Sequence, residues 1–144
     1  MSRYIIRRNF ASLTIPFPPS ANSIWKGGRG RTFRSKEYKD FIGTVAYIWQ
    51  VGNTKSERGI IYSASKAKEW KTDKQYEVRI ELVPRTNRRY DVDNFIKPTL
   101  DALTHAGLWD DDSQVIRLIA NKNEKENEAY AIVEIAEIEV KEDE

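Results

Sequence analysis

The sequence predicts an α+β fold in a single domain, residues 1–144, with the element order β-α-β-α-β-β. Apolar residues at spacings of three and four indicate two amphipathic helices, and segments in which apolar and polar residues alternate indicate strands. A chain of 144 residues is long enough to bury one ordinary core. Because single strands separate the helices, we expect a mixed or antiparallel sheet with both helices packed on one face.

The first strand is predicted at Ala11–Phe17, where Leu13, Ile15 and Phe17 lie on one side. A rigid turn with two prolines follows at 18–22. A first helix is then predicted to begin after Ser35, which suits the N-cap position. Its apolar stripe should face the core and consists of Tyr38, Phe41, Ile42, Val45, Ile48 and Trp49.

Between the turn and this helix, residues 25–33 form a glycine-rich, basic loop. The loop lacks the lysine-serine ending of a nucleotide-binding P-loop. Arginines on such a loop offer bidentate donors to phosphate oxygens, but Gly-Arg loops are also common at exposed hairpin tips. The sequence leaves both interpretations open.

The second half of the chain predicts three strands around the second helix. Before these strands, residues 52–73 are interpreted as a polar excursion from the regular elements. Residues 76–82 then alternate strictly and should end as a strand at Pro84. Residues 115–120 and 129–140 predict two further strands, the last with one slip in phase that indicates a bulge. Residues 141–144 are expected to be a solvated acidic tail.

Charge is distributed unevenly along the chain. The formal net charge is +2, but residues 1–90 carry 19 basic against 7 acidic side chains, a balance of +12. Residues 91–144 carry 5 basic against 15 acidic side chains, a balance of −10. Such asymmetry indicates a polyanionic partner. The basic half ends where a cluster of aspartates begins, which favours this interpretation over two unrelated solvated faces.

Composition excludes several kinds of site. The chain has no cysteine and one histidine, which excludes a disulfide framework and a thiolate or histidine-rich zinc centre. A catalytic metal would therefore be a hard cation held by oxygen ligands. No apolar run reaches the roughly 20 residues of a membrane span, and no secretory signal is evident. We therefore expect no membrane partner and a cytoplasmic location.

Carboxylates gather at both ends of the second predicted helix. Asp91 and Asp93 precede it and, in an extended segment, point the same way. Gly107 should end the helix, and Asp110–Asp112 follow it. Paired carboxylates repel each other unless a cation lies between them, and Mg²⁺ is usually held by one or two carboxylates together with water and phosphate. The sequence thus predicts a magnesium site, at which Mn²⁺ could substitute.

Each acidic residue also has a structural explanation when it is taken singly. Asp93 or Asn94 could cap the helix, and Asp110–Asp112 could be a polar turn before a strand. For Asp101 we favour the structural explanation, a surface charge. Together, however, these structural explanations do not account for Asp91, for Lys97 or for the density of the aspartate cluster.

Two motifs in this region resemble the signature of the RusA-type Holliday junction resolvases, the crossover junction endodeoxyribonucleases: Asp91-x-Asp93-Asn94-x-x-Lys97-Pro98-x-x-Asp101-Ala102-Leu103 and Gly107-Leu108-Trp109-x-Asp111-Asp112-x-Gln114-Val115. Upstream, Pro18-Pro19-Ser20-x-Asn22 and the residues around Ser35 are similar to the family's N-terminal pattern. The resemblance covers about residues 12 to 140.

The resemblance implies an activity, a metal site and an assembly. A family member would be a homodimeric, Mg²⁺-dependent endodeoxyribonuclease, bacterial or phage-encoded and associated with the nucleoid. It would cut four-way DNA junctions by paired nicks in recombination and repair. The implied magnesium-site carboxylates are Asp91, Asp93 and Asp112, with Asp111 as a neighbour at the metal. Lys97 is implied as the catalytic lysine that acts with Asp91, Asp93 and Asp112.

Six arginines are predicted to bind backbone phosphates of DNA: Arg29, Arg31, Arg34, Arg85, Arg88 and Arg89. Two features depart from the family pattern. Tyr90 stands where the family usually carries a basic residue, and the segment before the Tyr76 strand is longer than usual.

Two alternatives stay open. A non-catalytic module that binds branched DNA would use the aspartates only as caps and turns. A nuclease for flaps or other branched DNA would share every residue named above.

Overall fold

The computed structural model of the chain describes residues 2–23, 25–28, 31–51 and 74–143. The regular strands and α-helices of this part are β1 (Arg3–Pro16), β2 (Trp25–Gly28), β3 (Arg31–Arg34), α1 (Lys36–Val51), β4 (Gln75–Val83), α2 (Ile96–Ala106), β5 (Val115–Lys122) and β6 (Tyr130–Glu142). The polar excursion predicted at 52–73 lies outside the described residues. No helix in the described part is both long and apolar enough to cross a membrane.

The main sheet has four strands in the order β1-β6-β4-β5. β6 pairs antiparallel with both β1 and β4, whereas β4 and β5 are parallel. Parallel neighbours need a crossover connection, and α2 lies within it. The two helices contact each other, and α1 also contacts β1. The predicted α+β class and mixed sheet are confirmed.

The stretch predicted as a basic loop at 25–33 contains two short strands, β2 and β3, that the predicted element order does not contain. β2 and β3 pair antiparallel, from Trp25 opposite Arg34 to Gly28 opposite Arg31. They form a separate two-stranded sheet. Two strands of four residues are too short to show an alternating pattern in the sequence.

The core forms where the sequence predicts it. Four alternate residues of β4 are completely buried: Tyr76, Val78, Ile80 and Leu82. The strand ends at Val83, because the proline that follows cannot donate to the ladder. The α1 stripe is buried at Tyr38, Phe41, Ile42, Val45 and Trp49. Ser35 caps α1, since its Oγ accepts a hydrogen bond from the backbone N–H of Tyr38 at 3.2 Å.

β1 begins earlier than predicted. Its first half shows no apolar alternation because no side chain from Arg3 to Phe10 is buried and several charged ones pair with β6. Arg3 Nε lies 3.1 Å from Glu142 Oε1, and Arg8 Nη2 lies 3.3 Å from Glu139 Oε2. The bulge predicted for β6 lies in β1 instead: the register shifts at Asn9, which has a φ of 53°.

The acidic segment 141–144, predicted to be a solvated tail, begins inside the sheet. Lys141 and Glu142 are the last residues of β6. The backbone N–H of Asp143 donates to the carbonyl of Ser2 at 3.0 Å. The described side chains of this segment are exposed, as expected.

On the sheet face away from the helices, Glu77 is the centre of an ion-pair cluster. Arg7 donates to both of its carboxylate oxygens, at 2.9 and 3.0 Å, and Arg117 Nε lies 2.7 Å from Oε2. The hydrogen bonds from Arg7 lower the pKa of the Glu77 carboxyl from its ordinary value of 4.5, although its burial opposes this shift. The cluster joins β1, β4 and β5 on this face of the sheet.

Glu77→Gln is expected to lower the free energy of unfolding at pH 7 by about 1–2 kcal/mol, because two arginines lose a charged acceptor. A depressed folded-state pKa contributes stability above the ordinary pKa, and this contribution disappears as pH falls through the folded-state value. The difference between the proteins should therefore shrink as pH falls below 4.5, the ordinary pKa. Urea unfolding across pH measures this. Glu142→Gln, at an exposed pair, is the control and should change stability little.

Candidate active site

The acidic motif forms a short 3-10 turn, Val92–Phe95, that leads directly into α2. Phe95 is the N-cap of α2, so the capping roles considered for Asp93 and Asn94 are wrong. Asp91 precedes the turn with an extended backbone, and its side chain makes no capping hydrogen bond. Both Asp91 and Asp93 are exposed. Their carboxylates therefore remain available for a ligand.

Lys97 lies one turn beyond Asp93 and is also exposed. Its Nζ is 3.3 Å from Asp101 Oδ1. The other oxygen of Asp101 accepts a hydrogen bond from the Tyr38 hydroxyl at 3.1 Å. Asp101 thus has a structural role, as favoured, but it is half-buried and joins α2 to α1 instead of being the surface charge that the sequence predicted. An exposed ion pair of this kind is worth at most about 1 kcal/mol, so Lys97 can leave it for a phosphate.

The far end of α2 is held rigidly. Gly107 ends the helix in the left-handed conformation, with a φ of 92°, as the sequence predicts. Leu108 and Trp109 are buried, and Trp109 Nε1 donates to Thr104 Oγ1 at 2.7 Å. These contacts anchor the loop that presents the three aspartates.

Within the aspartate cluster, Asp111 already has a structural role. Its Oδ2 accepts from the backbone N–H of Ser113 at 3.2 Å, and its own N–H donates to Gln114 Oε1 at 3.1 Å. This capping box opens the 3-10 turn Asp112–Gln114. The hydrogen bond from Ser113 lowers the pKa of the Asp111 carboxyl. Asp112 is half-buried, and no residue of the described chain forms a hydrogen bond or ion pair with its carboxylate.

Asp91 and Asp112 lie at opposite ends of β5. Lys122, the last residue of β5, donates from Nζ to the carbonyl of Tyr90 at 2.8 Å, which places Asp91 beside that end. Asp112 instead comes just before Val115, the first residue of β5. Seven residue steps of a strand span about 23 Å. Accordingly, no group of three potential metal ligands forms within the described chain.

Tyr90 packs in an aromatic cluster rather than facing solvent. Its ring is edge-on to Phe17 and Phe95, with ring centroids 5.9 and 5.5 Å away. Lys122 Nζ lies 4.6 Å from the centroid of the Tyr90 ring. Tyr90 stands where the family usually carries a basic residue, and the ammonium group of Lys122 in β5 lies over its ring. The Tyr90 hydroxyl is buried without a hydrogen-bond partner in the described chain, and burial raises its pKa.

A basic groove of about 220 Å³ is lined by Tyr90, the residue before Asp91. Four basic side chains (Arg88, Arg89, Lys122 and Lys125) and one acidic side chain (Glu124) also line it. Arg85 is exposed in the same loop. The sequence predicts the arginines, but it does not reveal Lys122 and Lys125, because only the parallel β4–β5 pairing brings them near. Of the three N-terminal arginines predicted to bind DNA, Arg29 lies outside the described residues. Only the backbone of Arg31 and Arg34 is described, at the two ends of β3.

Tyr90→Phe should leave the free energy of unfolding unchanged or raise it by up to about 1 kcal/mol, because it removes a buried hydroxyl that lacks a partner. Tyr90→Ala should lower it by about 3 kcal/mol through loss of the ring contacts with Phe17 and Phe95. Chemical denaturation of both variants measures this. A clear loss of stability in the phenylalanine variant would show that the hydroxyl has a partner.

Comparison with known proteins identifies the family. The family model described as Endodeoxyribonuclease RusA matches residues 16–136, which include Asp91, Asp93 and the cluster Asp110–Asp112. The protein named Crossover junction endodeoxyribonuclease RusA of Escherichia coli K12 is 36% identical over 108 residues, and that of Shigella sonnei is 35% identical. The protein of the same name from Enterobacteria phage 82 is 36% identical. Each match covers 75% of this chain and 78% of the relative. The chain therefore belongs to the RusA endodeoxyribonuclease family.

Proposed function

We propose that this protein is a Mg²⁺-dependent endodeoxyribonuclease that resolves four-way (Holliday) DNA junctions by paired hydrolysis of phosphodiester bonds. One observation carries the proposal: in a member of the RusA family, the exposed carboxylates of Asp91 and Asp93 lie beside a basic groove and cap no helix. The relatives are named for crossover junctions. We infer that it acts where chromosomal or phage DNA lies, in the bacterial cytoplasm at the nucleoid.

The acidic residues suit a hard divalent cation. Asp91, Asp93 and Asp112 offer only carboxylate oxygens, the donors that Mg²⁺ and Mn²⁺ accept. When bound, the cation would polarise the scissile phosphate and lower the pKa of a bound water. Asp111 would stay a neighbour, because its carboxylate already accepts from Ser113.

The basic residues would bind and orient the DNA strand. Lys97 would leave Asp101 and donate to the phosphoryl oxygens or the leaving group, and loss of one such donor costs about 3 kcal/mol of transition-state stabilisation. Arg88 and Arg89 would hold backbone phosphates in the groove beside Asp91, with Arg85 at the same loop. Contacts of this kind make binding depend strongly on salt without reading bases.

A homodimer would complete the acidic site. One chain does not bring Asp112 to Asp91 and Asp93, because a strand of about 23 Å lies between them. In a two-fold dimer, Asp112 of one copy can join Asp91 and Asp93 of the other. The same operation creates a second, equivalent site. Two equivalent sites would give the paired nicks that resolve a four-way junction.

With a synthetic four-way junction, the wild-type protein should produce symmetric nicks in Mg²⁺ or Mn²⁺ and none in EDTA. Asp91→Asn or Asp112→Asn should reduce nicking at least about 100-fold while junction binding remains, because the cation loses a ligand but the basic groove stays. Asp110→Asn is the matched control and should remain active.

Robust cleavage by Asp91→Asn would refute the metal assignment. Binding indifferent to Mg²⁺ with no nicks would favour the non-catalytic module, and equal cleavage of flaps would favour a broader nuclease.

A mixture of the Asp91→Asn and Asp112→Asn proteins should recover nicking if the site is shared between copies. Mixed dimers then contain one site with all its carboxylates and one site with two substitutions. With random exchange, half of the dimers are mixed, so about a quarter of the wild-type sites are restored. Recovered nicks should be single rather than paired. A mixture as inactive as its components, although exchange of subunits is demonstrated, would place the whole site within one chain.

A further inference from the structure

The segment that leads from β4 to Asp91 has little structure of its own. Residues 85–90 contain neither helix nor strand. Within the described chain, one backbone group of this segment forms a hydrogen bond with a residue outside it. That group is the carbonyl of Tyr90, and the donor is Lys122. The segment is therefore anchored at the residue that immediately precedes the acidic motif.

The Lys122 ammonium group makes two contacts with Tyr90. Its Nζ donates to the Tyr90 carbonyl at 2.8 Å and lies 4.6 Å from the centroid of the ring. The second distance is one at which a cation is attracted to an aromatic face. The Tyr90 carbonyl belongs to the planar peptide unit that joins Tyr90 to Asp91. A hydrogen bond to its oxygen therefore restricts the rotation of the unit that carries the Asp91 Cα atom.

Lys122 is itself held at a fixed end of β5. It lies opposite Leu82 of β4 in the parallel ladder. Asn121 and Asn123, on either side of it, each donate from Nδ2 to an oxygen of the Glu81 carboxylate at 3.0 Å. The backbone N–H of Asn123 also donates to the Leu82 carbonyl at 2.8 Å. The lysine thus reaches Tyr90 from a backbone that the main sheet holds in place.

The other basic residues of the groove differ from Lys122. No residue of the described chain forms a hydrogen bond or ion pair with the side chain of Arg88, Arg89 or Lys125. These three cations are available for phosphate, whereas Lys122 already contacts Tyr90. If its ammonium group moved to a phosphate, it would release the Tyr90–Asp91 peptide. Lys122 thus has a role that its neighbours in the groove do not share.

We propose that Lys122 is a positioning residue of the acidic site. It ties the Tyr90–Asp91 peptide to β5 and so sets the position from which the Asp91 carboxylate reaches a cation. In this role Lys122 contacts neither the cation nor the DNA. The effect on cation binding rests on the proposed function; the tie between Lys122 and the peptide does not.

The first test uses the metal-free protein. Lys122→Met keeps an unbranched apolar side chain beside the Tyr90 ring but removes the ammonium donor, whereas Lys122→Arg keeps a cationic donor. In Lys122→Met, the amides of residues 91–95 should exchange with deuterium at least about 10-fold faster, because a hydrogen bond from a charged donor is lost. Exchange in β4 and β6 should not change. Lys122→Arg should restore most of the protection, and the matched control Lys125→Met should exchange like the wild type. NMR of the full chain measures this.

The second test separates the cation from the DNA. Lys122→Met should raise the Mg²⁺ concentration for half-maximal nicking of a four-way junction about 10-fold, because the backbone that carries a ligand loses its support. Junction binding and its salt dependence should stay as in the wild type. Lys125→Met should have the opposite effect: weaker junction binding, with the salt slope reduced by about 1 and the Mg²⁺ requirement unchanged.

Three results for Lys122→Met would overturn the proposal: unchanged exchange at residues 91–95, faster exchange throughout the main sheet, or weaker junction binding with a lower salt slope. The second would make Lys122 a residue of general stability, and the third would make it a DNA contact. Faster exchange at 91–95, with no nicking by the wild-type protein, would retain the tie and refute the proposed function. Nicking by the wild type, with an unchanged Mg²⁺ requirement in Lys122→Met, would retain the function and refute the positioning role.

Discussion

The parallel pairing of β4 with β5 requires the chain to return from one end of the sheet to the other before the second strand begins. α2 makes this crossing, with Asp91 and Asp93 before its first residue and Asp112 shortly after its last. The same pairing brings the last residue of β5 against Tyr90 and builds the basic groove beside the first two aspartates. The placement of nearly every candidate functional residue follows from this one crossover.

The two ends of α2 are built for different purposes. At the far end, Gly107, Leu108 and Trp109 fix the loop through a left-handed residue and two buried side chains. At the near end, a 3-10 turn leaves the carboxylates of Asp91 and Asp93 exposed and without capping partners. Two exposed carboxylates so close in sequence repel each other, and the rigid aromatic packing behind Tyr90 holds the backbone that carries them. Rigid support beneath an exposed acidic pair is what a metal site requires.

Much of this architecture was predictable because its signals are local. Strict alternation predicts β4, the apolar stripe and Ser35 predict α1, and Gly107 predicts the end of α2; all three agree with the structure. The first half of β1 was not predictable, since ion pairs with β6 rather than apolar alternation stabilise it. The bulge at Asn9 was assigned to the wrong strand because a register shift changes the phase of both partners. The prediction that Asp93 caps α2 was wrong because a 3-10 turn precedes the helix and places its N-cap at Phe95.

By itself, the sequence determined the α+β class, the core and the identity of the acidic motifs, because alternation, helical spacing and residue type are properties of neighbouring positions. Membership of the RusA family follows from the same linear pattern. Only the tertiary structure decided that Asp112 lies a strand length from Asp91, that Lys122 lies over the Tyr90 ring, and that β5 pairs in parallel with β4. These are distances between residues far apart in the chain. They depend on which strands pair and in which direction, which no local pattern encodes.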